Sequence, residues 1–146
     1  MDWSHYFAYG SNMDAAQMDR RCPGAELVDI ARLDAHRFII NERGVATLVA
    51  DARRIVYGVL YEVTPDHIAA LDRHEGVNGG YYRAATVAVE CLATKGVIEA
   101  RTYIDHRHHP APPRPGYLEV VLAGARAAGL PADYVAQLEG WLAERA

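Results

Sequence analysis

Cysteine is scarce in this chain: Cys22 and Cys91 are the only two among 146 residues, far apart and in no metal or redox spacing. A disulfide framework is therefore not expected, and two free thiols in a reducing cytoplasm is the simpler reading, which makes cytoplasmic the expected location. Positive charge is also thin. Basic residues number 15 against 19 acidic, a net charge of −4, and no block of lysine or arginine is sustained. Nucleic acid is thus not an expected partner. Apolar runs stop at strand length, well short of a membrane span, so no membrane association is expected. No charged segment with an apolar stretch behind it marks a secretory signal. Repeats and long linkers are missing too. What is present is 51% hydrophobic residues in a chain near the commonest domain size. One domain over residues 1–146 with one core is the expectation.

The chain opens with an aromatic, β-prone run that stops in three small residues, "YFAYGSNM" (Tyr6 to Met13). His5 to Tyr9 reads as a first strand, and Asn12 or Ser11 can cap a short helix through Arg21. "ELVDIARLDAHRFIINE" has the content of two strands or one long bent strand, and "GVATLVA" follows as another. Arg53 to Val63 is apolar on both faces, as suits a central strand. Thr64 and Pro65 start a helix with Ile68 and Leu71 inward, ending near Glu75-Gly76. Tyr81 to Leu92 and Val97 to Ile104 form a hairpin whose second arm alternates, giving Glu99, Arg101 and Tyr103 a wet face. "HRHHPAPPRPG" cannot be regular structure. Helices over Tyr117–Ala128 and from Pro131 to about Arg145 close the chain, separated by Gly129. The fold class is α+β: a small twisted, barrel-like mixed sheet of about six strands with helices at its rim.

Three places invite chemistry. The opening turn is no phosphate loop, since it has one glycine and no lysine, and it lacks the flanking glycines of a nucleophile elbow. Small residues before a helix N-terminus still let an anion approach the backbone, so a plain cap and an anion cradle both remain open. Glu75 ends a helix beside the mobile-looking "GVNGG". A helix C-terminus disfavours a carboxylate, and a half-buried glutamate there makes a proton shuttle, whereas an exposed one merely ends a surface helix. Tyr81 and Tyr82 next to it suit either core or pocket wall. His106, His108 and His109 after Asp105 sit in a proline-stiffened loop, where adjacent histidines do not converge on one ion, so no metal is expected.

Taken together, "YFAYGSNM", "LDRHEGV" (Leu71 to Val77), Tyr82 and "PPRPGYLEVVLAGARAAGLPADYVAQL" (Pro112 to Leu138) resemble the gamma-glutamylcyclotransferase family. The likeness spans nearly the whole chain, in order. It implies a small mixed barrel with the Tyr-Gly-Ser-Asn turn at its mouth. The loop Tyr6, Phe7, Ala8, Tyr9, Gly10, Ser11, Asn12 and Met13 would bind the glutamyl part of the substrate or the 5-oxoproline product. Glu75 would serve as general acid/base, and Tyr82 and Tyr117 would shape the pocket. No cofactor is implied, the partner is a small γ-glutamyl substrate, and the chain is expected to act as monomer or homodimer. Family members usually carry a Gly-Gly-Ala-Thr-Ile segment where this chain reads Gly44-Val45-Ala46-Thr47-Leu48, which leaves the amine side of the substrate open among glutathione-type dipeptides, γ-glutamylamines and peptide-like conjugates.

The implied reaction suits these residues. A γ-glutamyl amide carries its own nucleophile, the α-amine, and closing a held ring draws on an effective molarity of about 10⁵ M or more. One carboxylate and a ring of N–H donors suffice. A binding module without turnover and an amidase using Ser11 or a water are the alternatives.

Overall fold

The computed structural model describes residues 4–145, with side chains through residue 142, so the ends of the span 1–146 lie outside it. Five strands, β1 (Ser4–Ala8), β2 (Glu26–Ile40), β3 (Ala46–Val63), β4 (Arg83–Cys91) and β5 (Val97–Ile104), close into a barrel in the order β1-β3-β2-β4-β5. Neighbours run antiparallel except β1 and β5, which meet parallel where Tyr6 faces Arg101. With α1 (Ala15–Arg21), α2 (Pro65–His74), α3 (Tyr117–Ala128) and α4 (Ala132–Glu139), this is the α+β mixed barrel expected. No helix among the described residues is long and apolar enough to cross a membrane.

Among the described residues the strands number five rather than about six, because "GVATLVA" and "RRIVYGVLYEV" belong to one strand. Asp34 pairs with Ile55 and His36 with Ala50, so Asp51–Arg54 bulge out opposite Ala35, whose φ is 60. Read from the sequence, one strand ends at Ala50 and the next begins at Arg53. Asp51–Arg54 is instead a bulge that bends a continuous ribbon. The 15-residue β2 likewise takes the long-bent-strand option.

Local signals place the helices. Thr64 Oγ1 accepts from His67 N, and Thr64 N donates to His67 Nδ1, so α2 starts on a capping box with Pro65 behind it. Its inner residue Leu71 is fully buried, worth about 2–3 kcal/mol. The cap of α1 is Asp14, which accepts from Gln17 N, and not Ser11 or Asn12. Those two form a 3-10 turn with Met13 first, and the α-helix begins only after it. α3 ends at Gly129 (φ 83), while the last helix stops at Glu139 and continues as 3-10 structure over Gly140–Arg145.

Two further expectations change. The arm Val97–Ile104 is not wet along one face: Glu99 is exposed, but Arg101 is half-buried and Tyr103 buried. Asp72 of α2 takes Arg101 Nη2 (3.0 Å) and Tyr103 Oη (2.6 Å), which ties α2 to β5. The proline-rich segment is not simply an exposed loop. Asp105 at its head is 1% exposed, and Ala111 N and Arg114 N bond to Ile40 O and Gly44 O.

Candidate active site

At the mouth of the barrel lies a cavity of about 300 Å³. β1 delivers Tyr6 and, just past its end, Tyr9, while the turn after it delivers Gly10, Ser11 and Asn12. The end of α2 brings His74 and Glu75, the first residues of β3 bring Ala46, and α3 brings Tyr117. Of the expected loop, Phe7, Ala8 and Met13 lie in the core, at 0%, 0% and 2% exposure, and are not among the residues that line the cavity. Successive strand side chains point to opposite faces, so a run like this cannot turn every residue to one ligand.

The turn is held from behind. A Cβ on Gly124 of α3 would lie 2.5 Å from Met13 C and Asp14 N, so α3 packs directly on the 3-10 backbone. Gly10 O and Ser11 O accept from Met13 N and Asp14 N. The N–H groups of Gly10, Ser11 and Asn12 head the turn, the position with no intrahelical partner. Side chains of the turn are occupied. Gln17 donates to Ser11 Oγ (2.7 Å), and Asn12 Oδ1 accepts from Arg21 (2.7 Å) while its Nδ2 donates to Tyr6 Oη (2.9 Å). The partner of Ser11 is an amide, not a base.

Glu75 follows the last residue of α2, with its N–H on Leu71 O (2.8 Å), and is half-buried on the cavity wall. Burial pushes its carboxyl up to about 7, against the pull of the Arg21 and Arg43 charges. Removal from water, rather than the end of the helix, is the dominant cause. Tyr117 and Tyr82 meet across Ala46: Ala46 N donates to Tyr117 Oη (3.1 Å), and Tyr82 Oη donates to Ala46 O (2.7 Å). Burial pushes Tyr117 up to about 12 and raises Tyr6, Tyr9 and Tyr82 as well. All four stay neutral hydroxyls near pH 7.

A single carboxylate with a raised pKa therefore shares a small cavity with Gly10, Ser11 and Asn12 of the turn and with neutral phenols. This arrangement can move a proton and stabilise a developing oxyanion. A sequence model of the AIG2-like family matches residues 55–138. Gamma-glutamylcyclotransferase from Mus musculus is 33% identical over 144 residues, covering 92% of this chain and 76% of the relative. The Homo sapiens protein of that name is 31% identical with the same coverage. The chain belongs to the gamma-glutamylcyclotransferase family. A solved gamma-glutamyl cyclotransferase superposes with a TM-score of 0.89 at 28% identity, over 94% of this chain and 87% of that one.

Within this family member, three arginines of the cavity wall are not singled out by the sequence: Arg21, Arg43 and Arg114, the last inside the Pro112–Leu138 stretch that carries the likeness. Arg21 lies one turn past Gln17, so helical spacing from the Tyr-Gly-Ser-Asn turn is the only hint. Arg43 sits in the tight turn between β2 and β3, and nothing local marks it. His106, His108 and His109 are exposed, away from the cavity lining. No cluster of three or more His, Cys, Asp or Glu side chains fit to hold a metal occurs among the described residues.

Proposed function

We propose that this chain is a cyclotransferase that releases 5-oxoproline and a free amine from a γ-glutamyl amide. The observation that carries the reading is Glu75, a carboxylate with a pKa of about 7, lining one cavity with Gly10, Ser11 and Asn12 of the turn. In this reading Glu75 removes a proton from the α-ammonium, and the freed amine attacks the γ-carbonyl carbon. The N–H groups of the turn receive the oxyanion. Glu75 returns a proton to the leaving nitrogen as its bond to carbon breaks. Two protons travel in all from the α-nitrogen to the leaving nitrogen. One carboxylate that passes them singly ends as it began. Arg21, fixed on Asn12, adds a cation on the wall where the substrate α-carboxylate would lie. A cavity of about 300 Å³ is large enough for a folded glutamyl group.

The test is mass spectrometry of the products from a panel of γ-glutamyl amides. The expected outcome is 5-oxoproline with an equal amount of free amine. Free glutamate would instead mean hydrolysis, and binding without product would mean a module that does not turn over.

A further inference from the structure

Asp72 stands one helical turn before Glu75, and Glu75 keeps helical backbone angles as the cap of α2, so the two side chains share a face. The chain then leaves the helix through Gly76, at φ 66. Helix ends fray, so a proton carrier placed on one depends on whatever fixes the last turn. Past that turn, the Glu75 carbonyl takes Tyr82 N at a long 3.3 Å.

Within the turn, Asp72 closes a ring of polar contacts with β5. Its Oδ1 accepts from Tyr103 Oη (2.6 Å) and from Arg101 Nη2 (3.0 Å), while Arg101 Nε donates to Tyr103 Oη (3.1 Å). With its acceptor side taken by Arg101, the tyrosine hydroxyl aims its own proton at Asp72. The Arg101 and Asp72 side chains are 32% and 34% exposed, and an ion pair so exposed holds little by itself. The bond to Tyr103 is stronger: the tyrosine is 3% exposed, and 2.6 Å is the length of a charge-assisted O–H···O⁻ contact.

Tyr103 in turn belongs to the cavity wall. Its ring meets Tyr6 edge-on with centroids 5.9 Å apart, and its carbonyl accepts from Tyr9 Oη. Tyr6 Oη accepts from Asn12 Nδ2 (2.9 Å). A continuous chain of contacts thus runs from the helix face that carries Glu75, through Asp72, Tyr103 and Tyr6, to the turn that follows β1. Asp72 itself is not among the residues that line the cavity.

We propose that Asp72 and Tyr103 are positioning residues, whose hydrogen bond locks the last turn of α2 onto the cavity wall and so sets where the Glu75 carboxylate stands relative to Gly10, Ser11 and Asn12. This rests on the cyclotransferase reading of the site. Both residues act through Glu75, and neither exchanges a proton with the substrate.

The deciding variant is Tyr103→Phe, which removes the hydroxyl, keeps the ring on Tyr6 and changes no charge. The groups that face the Glu75 carboxyl, Arg21 of α1, Arg43 of the β2–β3 turn and the phenols of Tyr6, Tyr9, Tyr82 and Tyr117, all stay. The kcat for 5-oxoproline release should fall about 10- to 100-fold, the scale of a misplaced catalytic group, with KM nearly unchanged. The acid-side limb of kcat/KM should move below pH 7, because a loosened Glu75 gains water and its carboxyl relaxes towards the ordinary glutamate value. Asp72→Ala should lower kcat likewise, and the double variant should be no worse than Asp72→Ala, since both cut the same bond. Added to Glu75→Gln, neither substitution should reduce the residual rate further, because no base remains to be misplaced.

A wild-type kcat in Tyr103→Phe overturns the proposal, and so does a fall in kcat with the limb still near pH 7. An equal further loss in the Glu75→Gln background overturns it too. A higher KM at unchanged kcat would make Tyr103 a substrate contact and equally end the positioning role. Should Asp72→Ala fail to fold, Tyr103→Phe decides alone. Failure of the wild type to release 5-oxoproline from any γ-glutamyl amide would instead sink the cyclotransferase reading, and this inference with it.

Discussion

Tyr82 and Tyr117 grip one residue from opposite poles, Tyr82 Oη donating to Ala46 O at 2.7 Å and Tyr117 Oη accepting from Ala46 N at 3.1 Å. Ala46 opens β3 and is 1% exposed, so both peptide groups depend on these phenols. The two roles differ. Tyr82 commits its proton to the backbone, whereas Tyr117 accepts there and keeps its proton for the cavity.

Tyr82→Phe and Tyr117→Phe should each lose about 1–3 kcal/mol of stability, because each strands a buried backbone group. Urea unfolding measures this. The kcat/KM for 5-oxoproline release should fall further in Tyr117→Phe than in Tyr82→Phe. Equal losses would remove the distinction between the two hydroxyls.

Glu75→Gln keeps the shape of the side chain and removes its capacity to carry a proton. Turnover should drop by roughly 10²–10⁴-fold, the usual share of a positioned acid/base, while the far-ultraviolet circular dichroism stays that of the wild type. A Glu75→Gln protein that cyclises at the wild-type rate would end the assignment of Glu75.

The carboxyl of Glu75 is raised to about 7, so kcat/KM should climb on an acid-side limb centred near that pH and lack the limb in Glu75→Gln. Stability moves the other way. Between the ordinary glutamate value and about 7 the folded state holds a proton that the unfolded chain has released, so wild-type stability falls as pH rises through that window. Above it the penalty is constant. Thermal melts from pH 4 to 9 should therefore show Glu75→Gln gaining on the wild type up to about pH 7 and then running parallel to it.

Gly10 and Ser11 should respond unequally to substitution. A Cβ at Gly10 would stand 3.2 Å from Tyr117 Oη and 3.6 Å from Ala46 Cβ, and a branched side chain would fill the approach to the backbone donors. Gly10→Val should therefore abolish most activity. Ser11→Ala loses a hydroxyl bonded to Gln17 and should cost less than about tenfold, the scale of one neutral hydrogen bond. Complete loss in Ser11→Ala together with a trapped acyl-enzyme would turn the reading to an amidase.

What the sequence by itself determined is local. The Thr64-Pro65 start of α2, the Gly129 stop of α3, the hairpin of β4 and β5 and the α+β class all follow from rules acting over a few neighbouring residues. The family likeness added which distant pieces belong to one site. Tertiary structure alone decided the rest. Whether Asp51–Arg54 form a turn or a bulge depends on pairing with β2, which no local propensity encodes. Phe7, Ala8 and Met13 share a motif with cavity residues, yet barrel closure and the seat of α3 on the turn send them to the core. The pKa of Glu75 comes from burial by elements far away in the chain. Arg43 and Asp105 become partners only when the proline-rich segment folds back on the turn between β2 and β3. Their pairing is a matter of distance in space, and the one-dimensional pattern carries no term for that.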